Sequence, residues 1–251
     1  MNYKNLRKKR DFVLLNKNKL SQSVLENYNE DFNINFTHNS TAIEGNTLTL
    51  METKLLLEDK LSVHAKHLNE IYEVVNHNKA WNYVLECVKN NEKLDEDKVK
   101  EIHYILMKDI IIGGIYRTVD VKITGAKHTP LSPNKAYYEL QKFYQSLEDN
   151  NYNDFEIAAY THAEFVKIHP FEDGNGRTSR IIMNYQLIKN GYLPVSIKKE
   201  DRYKYYDTLD EYATAGNLTP FLELIYQLEE KELDYYINAI DNVIKEENIN
   251  G

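Results

Sequence analysis

Cysteine, proline and glycine are all scarce in this chain of 251 residues, which holds 1 Cys, 5 Pro and 9 Gly. A lone cysteine excludes a disulfide framework. Cys87 lies in the apolar stretch WNYVLECV, which reads as a buried thiol in a reducing compartment and not as redox chemistry. So few prolines and glycines leave little to break a helix, and they favour long helices with short connections. Apolar residues never run together for about 18 positions, and FVLL at 12–15 is followed at once by NKNK, so neither a membrane span nor a signal h-region is expected. Positive charge is in deficit as well: the net charge of -8 speaks against a general nucleic-acid binder, whose phosphate contacts need a basic surface. The one basic cluster, Arg7-Lys8-Lys9-Arg10, reads as a solvated helix face. The expectation is a soluble, cytoplasmic protein with no nucleic-acid or membrane partner.

What is present is 42% hydrophobic residues, enough for one large domain. Residues 1–28 read as a polar helix and 29–39 (NEDFNINFTHN) as an irregular connector. A short helix follows, stopped by Gly45; Thr49 with Glu52 three positions on makes a capping box. Apolar positions from 49 to 89 recur at threes and fours, as helices require, and Asp95 caps a helix at 94–108. The segment 113–133 breaks this pattern. Val119, Val121 and Ile123 alternate with polar residues and Gly125 supplies a turn, which predicts a short β-hairpin. Helices are expected again at 134–148, 155–168, 177–190, 199–215 and 219 to about 247.

The chemistry concentrates in HPFEDGNGRTSR at 169–180. A helix ends near His169, Pro170 forbids its continuation, and a new helix starts around Asn175 to Arg177. A helix N-terminus preceded by glycines is a ready anion site, so Gly174, Asn175 and Gly176 should cradle phosphate oxygens. Arg177 and Arg180, three apart, share a face and suit separate phosphoryl groups, which points to a polyphosphate. Asp173 is the natural ligand for the accompanying Mg²⁺. His169 is the residue of the motif able to take a proton near neutral pH, and is placed to act as a general base toward a hydroxyl. Phe171 reads as the residue that buries the loop. The phosphate loop GxxxxGK[ST] does not occur, which excludes an ordinary P-loop kinase or ATPase.

This string resembles the signature of the Fic (filamentation induced by cAMP) family, HPFx[D/E]GNGRxxR, at every specified position; GIYR at 114–117 and MNYQLIKNGY after the motif extend the likeness over about residues 70–230. The resemblance implies an all-α Fic fold with one β-hairpin flap, and a division into an N-terminal helical region 1–69, a catalytic core 70–230 and a C-terminal helix extension 231–251. It implies transfer of AMP from ATP to a Ser, Thr or Tyr hydroxyl that a target protein presents on an extended segment. His169 would then be the base and Asp173 the magnesium ligand. The run Asp173, Gly174, Asn175, Gly176, Arg177, Thr178, Ser179 and Arg180 would hold the nucleotide. Ile123, Thr124 and Gly125 would form the flap that receives the target as an added strand, and Tyr205 and Tyr206 would border the adenine. The family also allows self-modification and a homodimer.

Ser40-Thr41-Ala42-Ile43-Glu44-Gly45 resembles the family's inhibitory pattern [S/T]xxxE[G/N]. A carboxylate at Glu44 reaching the anion site would pair with Arg180 and repel the terminal phosphate, with Ser40 and Gly45 completing the motif. Three alternatives stay open. One is removal of AMP from a modified target. Another is transfer of a different nucleotidyl or phospho group, although the intact Gly174 and Gly176 favour AMP. The last is a nonenzymatic ATP-binding module. His64, His67 and Glu70 have metal-like spacing with no further ligand to complete a site, and His162 reads as a structural group beneath the motif.

Overall fold

A computed structural model describes residues 1–149 and 152–250. Among the described residues are ten α-helices: α1 (Tyr3–Asn16), α2 (Gln22–Ile43), α3 (Leu50–Leu57), α4 (Leu68–Lys89), α5 (Glu96–Met107), α6 (Pro133–Glu148), α7 (Glu156–Ile168), α8 (Asn175–Lys189), α9 (Arg202–Ala215) and α10 (Thr219–Asn250). Helix α8 is the axis. From Arg177 to Leu187 every residue is buried, so this helix has almost no solvent-exposed face and must sit between layers. Met183 and Leu187 join the cluster built with Leu6, Val13, Ala158, Phe221, Ile225 and Leu233 from α1, α7 and α10. Ile181, Ile182 and Tyr185 join a second cluster with Trp81, Val84, Val99, Ile102, Leu140 and Phe143 from α4, α5 and α6. Burial on both flanks fixes the rotation of α8, and with it the direction of Arg177 and Arg180.

Local signals are met where the chain supplies its own caps. Thr49 Oγ1 accepts from the Glu52 amide at 3.2 Å while Glu52 accepts from the Thr49 amide at 2.7 Å, the reciprocal box expected. Such a cap is worth about 0.5–2 kcal/mol. Asp95 caps α5 in the same way, through Lys98 N at 3.0 Å.

Tertiary packing overrides the expectation elsewhere. Residues 29–39 are not a connector but the middle of α2. Asn, Thr and His are weak helix formers, yet here Asn35 and Asn39 donate back to the carbonyls of Asp31 and Asn35 at 2.9 Å, and Phe36 packs edge-on to Trp81 of α4 at 5.1 Å. The first 28 residues form not one helix but α1 and the start of α2, split by a 3-10 turn at Lys17–Lys19. The basic cluster is a solvated face only in part: Arg7 and Lys8 are exposed, but three of its four residues are engaged in ion pairs. Arg7 and Arg10 both grip Asp154, at 2.8 and 2.5 Å, and Lys9 reaches Glu230 and Asp234 of α10.

The β-hairpin is absent: no strand occurs among the described residues, and 113–132 runs as turns and extended chain. The backbone groups that would pair its two arms are used otherwise. Lys127 N donates to Asp210 of α9 at 3.2 Å and the carbonyls of Val119 and Leu131 both accept from Arg117, while the His128 side chain ties the segment to α7 through Nε2 donating to the Lys167 carbonyl at 3.0 Å. What remains of the turn is one bond, Ala126 N to Ile123 O at 3.2 Å, with Thr124 and Gly125 exposed at its tip. With no ladder formed, the added-strand reading of Ile123, Thr124 and Gly125 has no sheet edge to rest on.

Candidate active site

The loop between α7 and α8 carries the site. His169 caps α7 with φ 53 and ψ 60, a left-handed conformation usually left to glycine or asparagine, and it precedes a proline, which also disfavours it. Such a residue stores strain of order 1–3 kcal/mol and persists only where its surroundings hold it. Its Nδ1 faces the Val166 carbonyl at 3.3 Å. A carbonyl only accepts, so Nδ1 carries the proton and Nε2 keeps a free lone pair. Burial pushes the ring down to about 4, helped by the charge of Arg117 and opposed by the Val166 bond and by Glu44 and Asp173. A neutral imidazole at pH 7 is a base ready to accept.

Beyond Pro170 the loop is clamped from inside. Asn175 Oδ1 accepts from Phe171 N and its Nδ2 donates to Phe171 O, both at 2.9 Å, so this side chain shapes the loop while its backbone opens α8. Phe171 is fully buried and lies flat on His103, ring centroids 3.6 Å apart and planes 3° from parallel. His103 Nε2 donates to the Asp173 carbonyl at 2.9 Å while its Nδ1 accepts from Gly114 N at 2.8 Å. Gly174 has φ 76, and a Cβ there would lie 2.7 Å from Met107 Sδ and 3.1 Å from His103 Nε2. Neither the conformation nor the space admits a side chain.

Helix α8 then starts with no side-chain cap, leaving its first amides available for an anion. Over that first turn lies a carboxylate. A Cβ on Gly176 would fall 2.2 Å from Glu44 Oε1, and the same oxygen accepts from Arg180 Nη2 at 2.7 Å. Arg180 is fully enclosed: Nε donates to Ser40 Oγ at 2.9 Å, Nη2 to Ser40 O at 2.8 Å, and Nη1 to Tyr205 Oη at 3.3 Å. Burial alone would lower its pKa; Glu44 and Tyr205 overcome that and hold it above the ordinary arginine range. Gly45 turns the chain away after Glu44 with φ 108. The structure thus joins Ser40 and Glu44 to Arg180 across 140 and 136 positions of sequence.

The remaining residues fall in different places. Arg177 bridges Asp173 Oδ2 and Glu73 Oε1, both at 3.1 Å. Ser179 donates to Gly176 O at 2.8 Å and faces His162 Nε2 at 3.2 Å, and Thr178 is wholly buried with no partner for its hydroxyl, so both point into the core. Tyr205 is 1% exposed, its hydroxyl shared between Arg180 and His162. Tyr206 is 40% exposed and donates to the Ile43 carbonyl at 3.3 Å, beside Glu44. Asp173 is 62% exposed; its two oxygens each hold one bond, to Gly174 N and Arg177, which leaves lone pairs toward solvent. Among the described residues no cluster of three or more His, Cys, Asp or Glu gathers. A single outward carboxylate still suits Mg²⁺, which binds through one or two carboxylates and takes its other ligands from phosphates and water.

Sequence reasoning missed His103, Arg117 as a side chain, and Glu73. His103 lies among Val99, Ile102, Leu106 and Met107 on the buried face of α5, and a histidine at a core-facing position was the one available signal. Glu73 offered none.

Residues 93–187 match the Fic/DOC family. The protein adenylyltransferase Fic of Drosophila persimilis is 34% identical over 228 residues, covering 89% of this chain and 44% of that protein, so the chain spans less than half the length of this curated relative. Among solved structures, a Fic-domain signaling protein from Bacteroides thetaiotaomicron superposes with a TM-score of 0.85 at 26% identity, covering 96% of this chain and 98% of that one. Fic-1 of C. elegans gives 0.81 at 29% identity, covering 94% and 70% respectively. The motif, the helical architecture and these likenesses agree: residues 93–187 of the chain are a Fic/DOC-family domain.

Proposed function

We propose that this domain transfers AMP from ATP to a Ser, Thr or Tyr hydroxyl of a target protein. The observation that carries this reading is the Glu44 carboxylate seated on Arg180 against the first turn of α8, an anion already held where a phosphate would bind. The hydroxyl oxygen attacks the α-phosphorus, Nε2 of His169 takes the hydroxyl proton, and the bond to the β-phosphate breaks to release pyrophosphate. Protein groups in such reactions mainly position the reactants and offset charge. The amides of Gly176 and Arg177 with the guanidiniums of Arg177 and Arg180 suit that task. Asp173 would hold Mg²⁺, which neutralises phosphate charge when bound. The curated relatives named protein adenylyltransferase support the same activity.

In this reading Glu44 is a brake: while it occupies Arg180, the terminal phosphates have no partner there and the α-phosphorus is held away from the base. The target presents its hydroxyl on an extended segment that lies along the exposed 118–131 stretch. Intact mass spectrometry with ATP and Mg²⁺ tests the whole reading on wild type, Glu44→Gly and Glu44→Gly/His169→Ala, with and without cell extract as a source of target. One AMP added by Glu44→Gly alone is the expected result. No adduct on any protein in any sample overturns the assignment.

A further inference from the structure

Arg117 is 4% exposed and yet forms no ion pair among the described residues. All its side-chain hydrogen bonds go to backbone carbonyls: Nε to His169 O at 2.8 Å, Nη1 to Val119 O at 2.9 Å and Nη2 to Leu131 O at 2.5 Å. Its own amide donates to Pro170 O at 2.9 Å. Its one nearby carboxylate, Asp120, acts on it without forming an ion pair, and burial outweighs that attraction; three carbonyls around one guanidinium are a demanding way to satisfy such a buried charge. The fold keeps it at the one place where the backbone is doubly strained, the left-handed His169 before Pro170.

We infer that Arg117 is a positioning residue for His169, a role that rests on the AMP-transfer reading: its guanidinium holds the His169 carbonyl and fixes the neck of the 119–131 loop to the same point. Two consecutive peptide units, those ending in the His169 and Pro170 carbonyls, are pinned by one residue, so the imidazole cannot swing with the loop. The neck is pinned by the other two N–H groups. Any target segment lying on that loop therefore meets the base at a set distance, because one rigid fork defines both positions. Lysine cannot reproduce this. Its ammonium is a point donor on a flexible stem and reaches one or two of these carbonyls, never three in a plane.

The test uses the full chain with Glu44→Gly as parent, so that the brake does not mask the rate. Initial rates of AMP transfer are measured against ATP concentration for the parent, Glu44→Gly/Arg117→Lys and Glu44→Gly/Arg117→Gln, with thermal unfolding of each. The expected result is a fall in kcat of at least tenfold in both variants, a KM for ATP within about threefold of the parent, and a retained cooperative unfolding transition. Arg117→Lys with kcat within twofold of the parent overturns the positioning role, as does a rise in KM at constant kcat. Loss of the cooperative transition in both variants assigns Arg117 to stability alone and also overturns it. A parent that transfers no AMP sinks the transfer reading itself, and with it any part for Arg117 in that reaction; a transferring parent with unaffected variants sinks only this inference.

Discussion

The carboxylate of Glu44 and the guanidinium of Arg180 meet at 2.7 Å, the arginine side chain 1% exposed and the glutamate 30%. The pair joins the C-terminal end of α2 to the first two turns of α8. Without it Arg180 keeps three neutral hydrogen bonds, to Ser40 Oγ, Ser40 O and Tyr205 Oη, so Glu44 can leave while the arginine keeps its place.

Glu44→Gly should therefore raise AMP transfer by at least tenfold while the fold is retained. Removing the carboxylate leaves a buried guanidinium with three neutral hydrogen bonds, which costs about 3 kcal/mol, the low end for a buried pair, and a fall in Tm of roughly 6–12 °C follows for a domain of this size. ATP with Mg²⁺ should then raise the Tm of the mutant more than that of wild type, since phosphates fill the position the carboxylate has left. Differential scanning calorimetry with and without nucleotide checks both shifts. Equal ATP shifts in the two proteins would show that Glu44 does not compete with phosphate.

Gly176→Ala separates the cradle from the brake. The added Cβ falls 2.2 Å from Glu44 Oε1 and 3.1 Å from Arg180 Nη1, in the space the site offers to an anion, while alanine is a better helix former than glycine. In the Glu44→Gly background it should weaken ATP binding at least tenfold with unchanged or slightly raised Tm. Titration calorimetry measures the affinity, and unaltered binding would place the phosphates away from the α8 N-terminus.

His103→Phe should keep the flat packing on Phe171 and lose both hydrogen bonds, leaving the Gly114 amide and the Asp173 carbonyl without partners. Each buried orphan costs about 1–3 kcal/mol, and the turn that presents Asp173 loosens. The expected outcome is a lower Tm and a transfer rate reduced about tenfold, with the effect on rate relieved in part by higher Mg²⁺. A rate unchanged across the Mg²⁺ range would confine His103 to stability.

Acid should destabilise the fold earlier than surface carboxylates would require. Burial holds His169 and His103 down to about 4 and pushes His162 and His77 well below the usual range. Around His169 the charged groups are Arg117, which lowers it, and Glu44 and Asp173, which raise it. Each folded value lies below the unfolded one near 6.5, so the unfolded state binds more protons as pH falls. The stability these rings contribute is intact above about pH 6.5 and drains between there and about pH 4. Denaturant midpoints should drop steadily across that window, while the transfer rate of Glu44→Gly shows no acid limb between about pH 6 and 8. A limb centred near 6.5 would mean a solvated, ordinary histidine.

The motif was legible because its residue types are chemically unlike one another and adjacent in the chain. Pro170 and Gly174 end and start helices by their own covalent limits, so the sequence alone placed His169 on one lip and the α8 N-terminus on the other. The Thr49 capping box, the Asp95 cap and the amphipathic helices were legible for the same reason: they are satisfied within a few residues.

Everything that depended on distant partners was decided by tertiary structure. The Asn-rich 29–39 became helix through the packing of Phe36 on Trp81, and the alternation at 119–123 did not become a strand because Asp210 and Arg117 took backbone groups that a hairpin would have paired. Tyr205 went into the core to serve Arg180 and His162, and Glu73 came to Arg177 from another helix. Sequence by itself determined which groups could do the chemistry and where the chain had to turn around them. Only the folded chain decided which carboxylate sits on which arginine and what holds the strained histidine, because those energies belong to contacts between residues far apart in sequence.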